Sequence, residues 1–200
     1  LAISQPKESF FTVTLASQSP LDVARADAVL AALHEYGAYG ISGLVGYEGR
    51  LYQDGTRYVS GTLPGQNWCS EFYSEVLSSA FDGPSATWIG GLADEFIEYD
   101  SYYREDMGGW ENPTDMIAEM GDWLWFDQND YSEDSTDRFG VSDKMGGGHT
   151  AMFLAYEEDI GRIHYISGND GNRIRLGQIH VASQEIKGGG LGKLTEDMLR

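Results

Sequence analysis

Residues 150–182 read TAMFLAYEEDIGRIHYISGNDGNRIRLGQIHVA, and this stretch decides the fold. Thr150 to Tyr156, Arg162 to Ser167 and Asn172 to Ala182 each carry the β-branched and aromatic content of a strand, with turns rich in Gly, Asp or Asn between them. Three such runs on short turns predict an antiparallel meander. Upstream, Asp122-Trp123-Leu124-Trp125-Phe126 is a short apolar run bounded by Gly121 and by polar residues, the pattern of a buried strand.

Helix signals lie nearer the N-terminus. Ser19 as N-cap, Pro20 at the first helical position and Asp22 beside the positive end of the dipole open a helix over 20–36. Leu21, Ala24, Ala28, Leu30 and Leu33 fall near helical spacing, and Gly37 supplies a stop. Asn67 caps a second helix over 67–81, with Phe72, Val76, Leu77 and Ala80 on one face and Cys69 in its first turn. A third helix spans 91–103 on Leu92, Phe96, Ile97 and Tyr99. Between Gly37 and Thr62, glycines interleaved with Leu44, Val45, Tyr47, Leu51 and Tyr52 predict short strands or an ordered loop. Gly188 to Lys193 has the wrong glycine spacing for a phosphate-binding loop, and Leu194 stands where Ser or Thr would hold magnesium, so it reads as a flexible connection to a terminal helical turn over 194–199. Helices first and strands afterwards make the class α+β.

Composition narrows the function. Thirty-two acidic against thirteen basic residues give a net charge of -19, a field that repels phosphate backbones and anionic lipid. Nucleic acid is thereby excluded as a natural partner. The longest apolar run, Ala28 to Leu33, is far short of the roughly 20 residues a bilayer span needs. The chain opens on Leu1 with no basic-then-apolar segment, which reads as a chain whose secretion signal has been removed. Asp127, Asn129, Asp130, Glu133, Asp134 and Asp137 are dense in oxygen ligands but lack the glycine and glutamate spacing of an EF-hand, and a solvated acidic surface is the simpler reading. No histidine pair stands at zinc-ligand spacing and no Gly-x-Ser-x-Gly elbow occurs, so neither a metal nor a cofactor is called for.

With one cysteine there is no intramolecular disulfide, and Cys69 is either a core thiol or a nucleophile. A helix start lowers a thiol's pKa, which favours the nucleophile. Thiolate catalysis also needs a general base and a group that orients it. His34, His164 and His180 sit inside helix or strand patterns, whereas His149 follows Met145-Gly146-Gly147-Gly148 and opens a strand, where other backbone can approach it. The turn Ser167 to Asn172 brings Asn169 or Asp170 toward that strand start.

Trp68-Cys69-Ser70-Glu71-Phe72, Gly121 to Phe126, Gly148-His149-Thr150-Ala151-Met152-Phe153 and Gly168-Asn169, in this order over about residues 66–181, resemble the CHAP and NlpC-like families of papain-like cysteine amidases and peptidases. The resemblance implies Cys69 as nucleophile, His149 as general base, Asn169 as its orienting group, and Asp122 as a structural residue at the turn into a core strand. It implies a papain-like α+β fold with N-terminal helices packed on a C-terminal antiparallel sheet. The organisation it suggests is an extension over 1–62, a hydrolase domain over 63–185 and a tail over 186–200. The expected activity is hydrolysis of an amide in peptidoglycan or a related cell-wall peptide, in the periplasm or outside the cell, without a cofactor. The Cys69 N–H is the expected oxyanion donor, with Gln66 or Asn67 as a side-chain donor. Gln66, Trp68 and Tyr47 are the expected substrate contacts, and Trp88, Trp110 and Trp125 are each either groove or core. Two rivals stand beside this reading: a thiol-dependent acyltransferase, and a catalytically silent binding or inhibitory module on the same fold.

Overall fold

The computed structural model describes residues 19–39, 68–105, 118–127, 148–169, 174–180 and 188–200. They form three helices, α1 (Pro20–Tyr39), α2 (Cys69–Leu77) and α3 (Ile89–Glu98), and six strands. The strands are β1 (Tyr102–Glu105), β2 (Trp123–Asp127), β3 (Gly148–Glu157), β4 (Arg162–Ser167), β5 (Arg175–His180) and β6 (Gly188–Gly192). All pair antiparallel in one sheet of order β1-β6-β2-β3-β4-β5. The architecture is α+β, as the segregation of helix and strand patterns predicts.

Helix α1 starts where the sequence places it: Ser19 Oγ accepts the Asp22 N–H at 3.1 Å, and Asp22 Oδ2 accepts the Ser19 N–H at 3.0 Å. It continues past Gly37 to Tyr39, beyond the predicted stop. Helix α3 ends earlier than expected, because Asp100 turns left-handed at φ 52° and the Ser101 N–H and hydroxyl return to the Phe96 carbonyl. The chain then leaves as edge strand β1 instead of continuing the helix to Tyr103.

The largest correction concerns Gly188–Gly192. Instead of a flexible connection, this segment is β6, hydrogen-bonded between β1 and β2 in the interior of the sheet. A Cβ at Gly190 would collide with Trp125 Nε1, so the missing side chain is what lets the Trp125 indole lie across the strand. The residues beyond it continue into the core through Leu194 and Met198, with a single 3-10 turn at Glu196–Met198 where a helical turn was expected.

Both faces of the sheet are covered. Trp123, Trp125, Met152 and Ile166 face the helices, where Ala24, Ala28, Val29 and Ala32 of α1, Phe72 and Val76 of α2, and Leu92 and Phe96 of α3 close the main core. Phe96 stacks on Trp123 at 5.5 Å between centroids. Leu124, Phe126, Ala151, Phe153, Ile163 and Leu191 bury the other face. Burial on both sides is why the β2 sequence is continuously apolar instead of alternating. Among the described residues no helix is long and apolar enough to cross a membrane.

One ion pair joins distant parts of the chain. Arg25 Nη1 on α1 meets Asp122 Oδ1 at 2.6 Å, and both residues are buried. The same guanidinium donates to the carbonyls of Met120 and Leu194, while Asp122 accepts the Leu194 and Glu119 N–H groups. Asp122 is thus structural, in keeping with the reading of its turn. Asp122→Ala removes the buried partner of the guanidinium, leaving it only the exposed Glu119 carboxylate 3.3 Å from Nη2, and also strands the Leu194 N–H, so it is expected to cost about 3 kcal/mol in urea unfolding. Asp82→Ala, which removes the exposed pair with Arg200, should cost at most about 1 kcal/mol.

Candidate active site

Cys69 is the first residue of α2, and its side chain is almost fully enclosed, at 4% exposure. The helix lies across the start of β3, where Ser70 Oγ and Thr150 Oγ1 are 3.1 Å apart. The Thr150 amide and hydroxyl and the Ser70 amide act on the Cys69 sulfur and favour its thiolate. Burial opposes them and is the largest influence, and the Glu71 charge adds to it, so the thiol is held above its ordinary pKa. Of these donors only the Ser70 amide belongs to the helix start, so the lowered pKa expected from that position is not found: desolvation outweighs it.

His149 is the second residue of β3, beside the Thr150 that touches the thiol. The β2–β3 register sets His149 opposite Phe126 and Thr150 opposite Trp125. Directly paired residues share a face, so Thr150 faces α2 while His149 leaves the strand on the Phe126 side. This is the face of the sheet away from α2 and Cys69, and the His149 Nε2 lies in the protein interior.

Asn169 follows β4. The last β3–β4 pair at this end is Met152 with Ile166, and Asn169 lies two residues beyond the end of β4 at Ser167. The intervening Gly168 belongs on the α2 side, where a Cβ would stand 2.5 Å from Cβ of Phe72 and 2.7 Å from the Trp68 ring. Asn169 has φ 58°, the left-handed conformation that Asn tolerates better than most residues, and this bends the chain away after β4. Cys69 thus meets β3 on the α2 side at Thr150, His149 points to the opposite face of the sheet, and Asn169 lies just past the end of β4, the strand paired with β3. Asp170, the other orienting candidate, lies outside the described residues.

The expected substrate contacts fare differently. Trp68 is buried at 1% exposure in the main core, so it supports α2 instead of lining an open groove. Trp125 is likewise core, and Trp88 is exposed. Gln66, Asn67, Tyr47 and Trp110 lie outside the described residues, as does the acidic run considered for calcium beyond Asp127 at the end of β2. Among the described residues no group of three His, Cys, Asp or Glu is placed to hold a metal ion.

The residue that sequence reasoning passed over is Glu71. It is 6% exposed, and among the described residues neither carboxyl oxygen has a hydrogen-bond partner. Burial pushes it up to about 7, and its own backbone N–H pulls only weakly the other way. An acidic residue in the first turn of a helix looks ordinary in sequence, because it complements the dipole from a solvated position. Only the tertiary structure shows that this one is enclosed.

Comparison of the chain with protein-family models, with characterised proteins and with solved structures yields no match.

The Glu71 shift sets a pH dependence of stability. The folded-state value of about 7 lies above the ordinary 4.5, so the folded chain binds this proton more tightly than the unfolded one. The associated stability is complete below about pH 4.5 and is lost as pH rises through about 7, a change of about 3 kcal/mol. Glu71→Gln should flatten that slope in urea titrations taken across the interval and should be the more stable protein above it. An unchanged slope would show that Glu71 is solvated.

Proposed function

We propose that the chain is a cysteine-dependent amidase or peptidase of papain-like design, with Cys69 as nucleophile, His149 as general base and Asn169 as the residue that orients the imidazole. One juxtaposition carries the reading. The first residue of α2 is the cysteine, and it is held by Thr150, the residue that follows His149 at the start of β3, with Asn169 just past the end of the neighbouring strand β4.

The chemistry follows from these positions. His149 takes the thiol proton as the thiolate attacks an amide carbonyl, and the Thr150 and Ser70 donors stabilise the sulfur as charge develops on it. The N–H of Cys69 belongs to the first turn of α2, whose amides lack intrahelical acceptors, and so can face the oxyanion of the tetrahedral intermediate. The imidazolium then protonates the departing amine, and water hydrolyses the thioester. The substrate class is a peptide or peptidoglycan fragment met in the periplasm or outside the cell. A chain of charge -19 suits a small fragment better than tight anchoring to anionic wall polymer.

A second reading has an observation of its own. The enclosed thiol, held above its ordinary pKa, is what a catalytically silent binding module on this fold would show. Alkylation by iodoacetamide separates the two, and because Cys69 is the single cysteine the intact mass reports it directly. For the hydrolase, alkylation proceeds rapidly well below the free-thiol value of about 8.5 and slows at least about tenfold in His149→Ala. Slow alkylation that is indifferent to His149 would leave the silent module standing.

A further inference from the structure

The first turn of α2 contains a cost that the hydrolase mechanism above does not use. Moving a carboxylate out of water without a partner costs several kcal/mol, and such groups in proteins are normally paired or hydrogen-bonded. Glu71 is enclosed with both oxygens unsatisfied among the described residues. Asp122, the other deeply buried carboxyl described above, is met by Arg25 and by two backbone amides. The Glu71 carboxyl is also close enough to Cys69 for its charge to act on the sulfur. An unpartnered acceptor of negative charge thus sits beside the nucleophile.

We propose that Glu71 is the recognition group for a primary ammonium on the substrate, so that the amide attacked by Cys69 belongs to a molecule carrying a free amino group near its scissile carbonyl. An ammonium has three N–H donors and no acceptor, which matches a site offering two acceptor oxygens. Charge-assisted hydrogen bonds of this kind are about twice as strong as neutral ones. The overall charge of -19 draws cations toward the protein, and the Glu71 carboxyl, with neither oxygen hydrogen-bonded among the described residues, offers a cation two acceptors. The inference rests on Cys69 being the nucleophile and adds what that site selects.

Charged thiol reagents test it without a known substrate. The Cys69 thiolate attacks the sulfenyl sulfur of an alkyl methanethiosulfonate, forming a mixed disulfide and releasing methanesulfinate. The aminoethyl reagent presents an ammonium, the sulfonatoethyl reagent an anion, and the methyl reagent no charge. Rates are compared by intact mass in the full-length wild type, in Glu71→Gln and in Glu75→Gln, which removes the same charge from an exposed position one turn along α2. In about 0.5 M salt the Debye length falls to a few Å, and the diffuse field of the surface is screened.

The expected result is a cation-over-anion preference of at least about tenfold in the wild type and in Glu75→Gln, falling toward one in Glu71→Gln. A wild-type ratio near one, or an equal ratio in Glu71→Gln, overturns the ammonium site while leaving the nucleophile intact. Failure of the neutral reagent to modify Cys69 overturns the hydrolase reading and this inference with it. If Glu71→Gln does not fold, competition in the wild type decides: n-propylammonium must slow the neutral reagent where n-propanol does not. Equal effects of the two overturn the proposal.

Discussion

The buried pair of Arg25 and Asp122 is the constraint on which the other placements depend. It joins α1, the turn entering β2 and the segment leaving β6, which are far apart in sequence. A buried ion pair contributes little net stability when measured against well-packed apolar residues. Its effect here is to fix geometry, because each partner's remaining hydrogen-bonding capacity is met only when all three segments are in place. Burial pushes the Asp122 carboxyl up and Arg25 holds it down, so the turn tolerates its charge only in the presence of α1. Tyr73 ties α2 to the same turn by donating its hydroxyl to the Gly121 carbonyl at 3.1 Å.

With α2 fixed in this way, the position of Cys69 follows. Ser74 exchanges hydrogen bonds with the carbonyl and amide of Ala86, which holds the middle of the helix to the segment leading into α3. Ser70 meets Thr150, and the first turn of α2 cannot leave the start of β3 without breaking that contact in the core. The end of β4 is pressed against the same helix at Gly168. The first turn of α2 is thereby fixed between β3, the end of β4 and the Ala86 segment.

The sequence was informative where a pattern belonged to one segment alone. The meander of β3, β4 and β5 was legible because turn chemistry punctuates it, and α1 because Ser19 and Asp22 cap each other locally. It was uninformative where a residue's role depends on a distant partner. Gly188–Gly192 shows no strand signal, since Gly190 is dictated by the Trp125 indole lying over it and Gly192 by the Phe96 ring. β1 was hidden by aromatic residues that continue the spacing of α3 until Asp100 turns left-handed. For the site, the place of Cys69 in the first turn of α2 and of His149 at the start of β3 was legible from local pattern. The enclosure of Cys69, of Trp68 and above all of Glu71 was not, because burial is a property of packing.

Thiol and carboxyl at the head of α2 are coupled. The Glu71 charge raises the Cys69 thiol, and burial raises both groups, so the empty site disfavours a thiolate beside a carboxylate. An ammonium bound at Glu71 cancels the charge that opposes ionisation of Cys69. By linkage, a thiolate at Cys69 strengthens binding of the cation by the same factor. A substrate carrying that group would thus relieve the penalty on the nucleophile at the moment it presents its carbonyl. On that proposal, selection of the substrate and activation of the nucleophile are one electrostatic event, in which the bound cation offsets the charge that helps hold the enclosed thiol above its ordinary pKa.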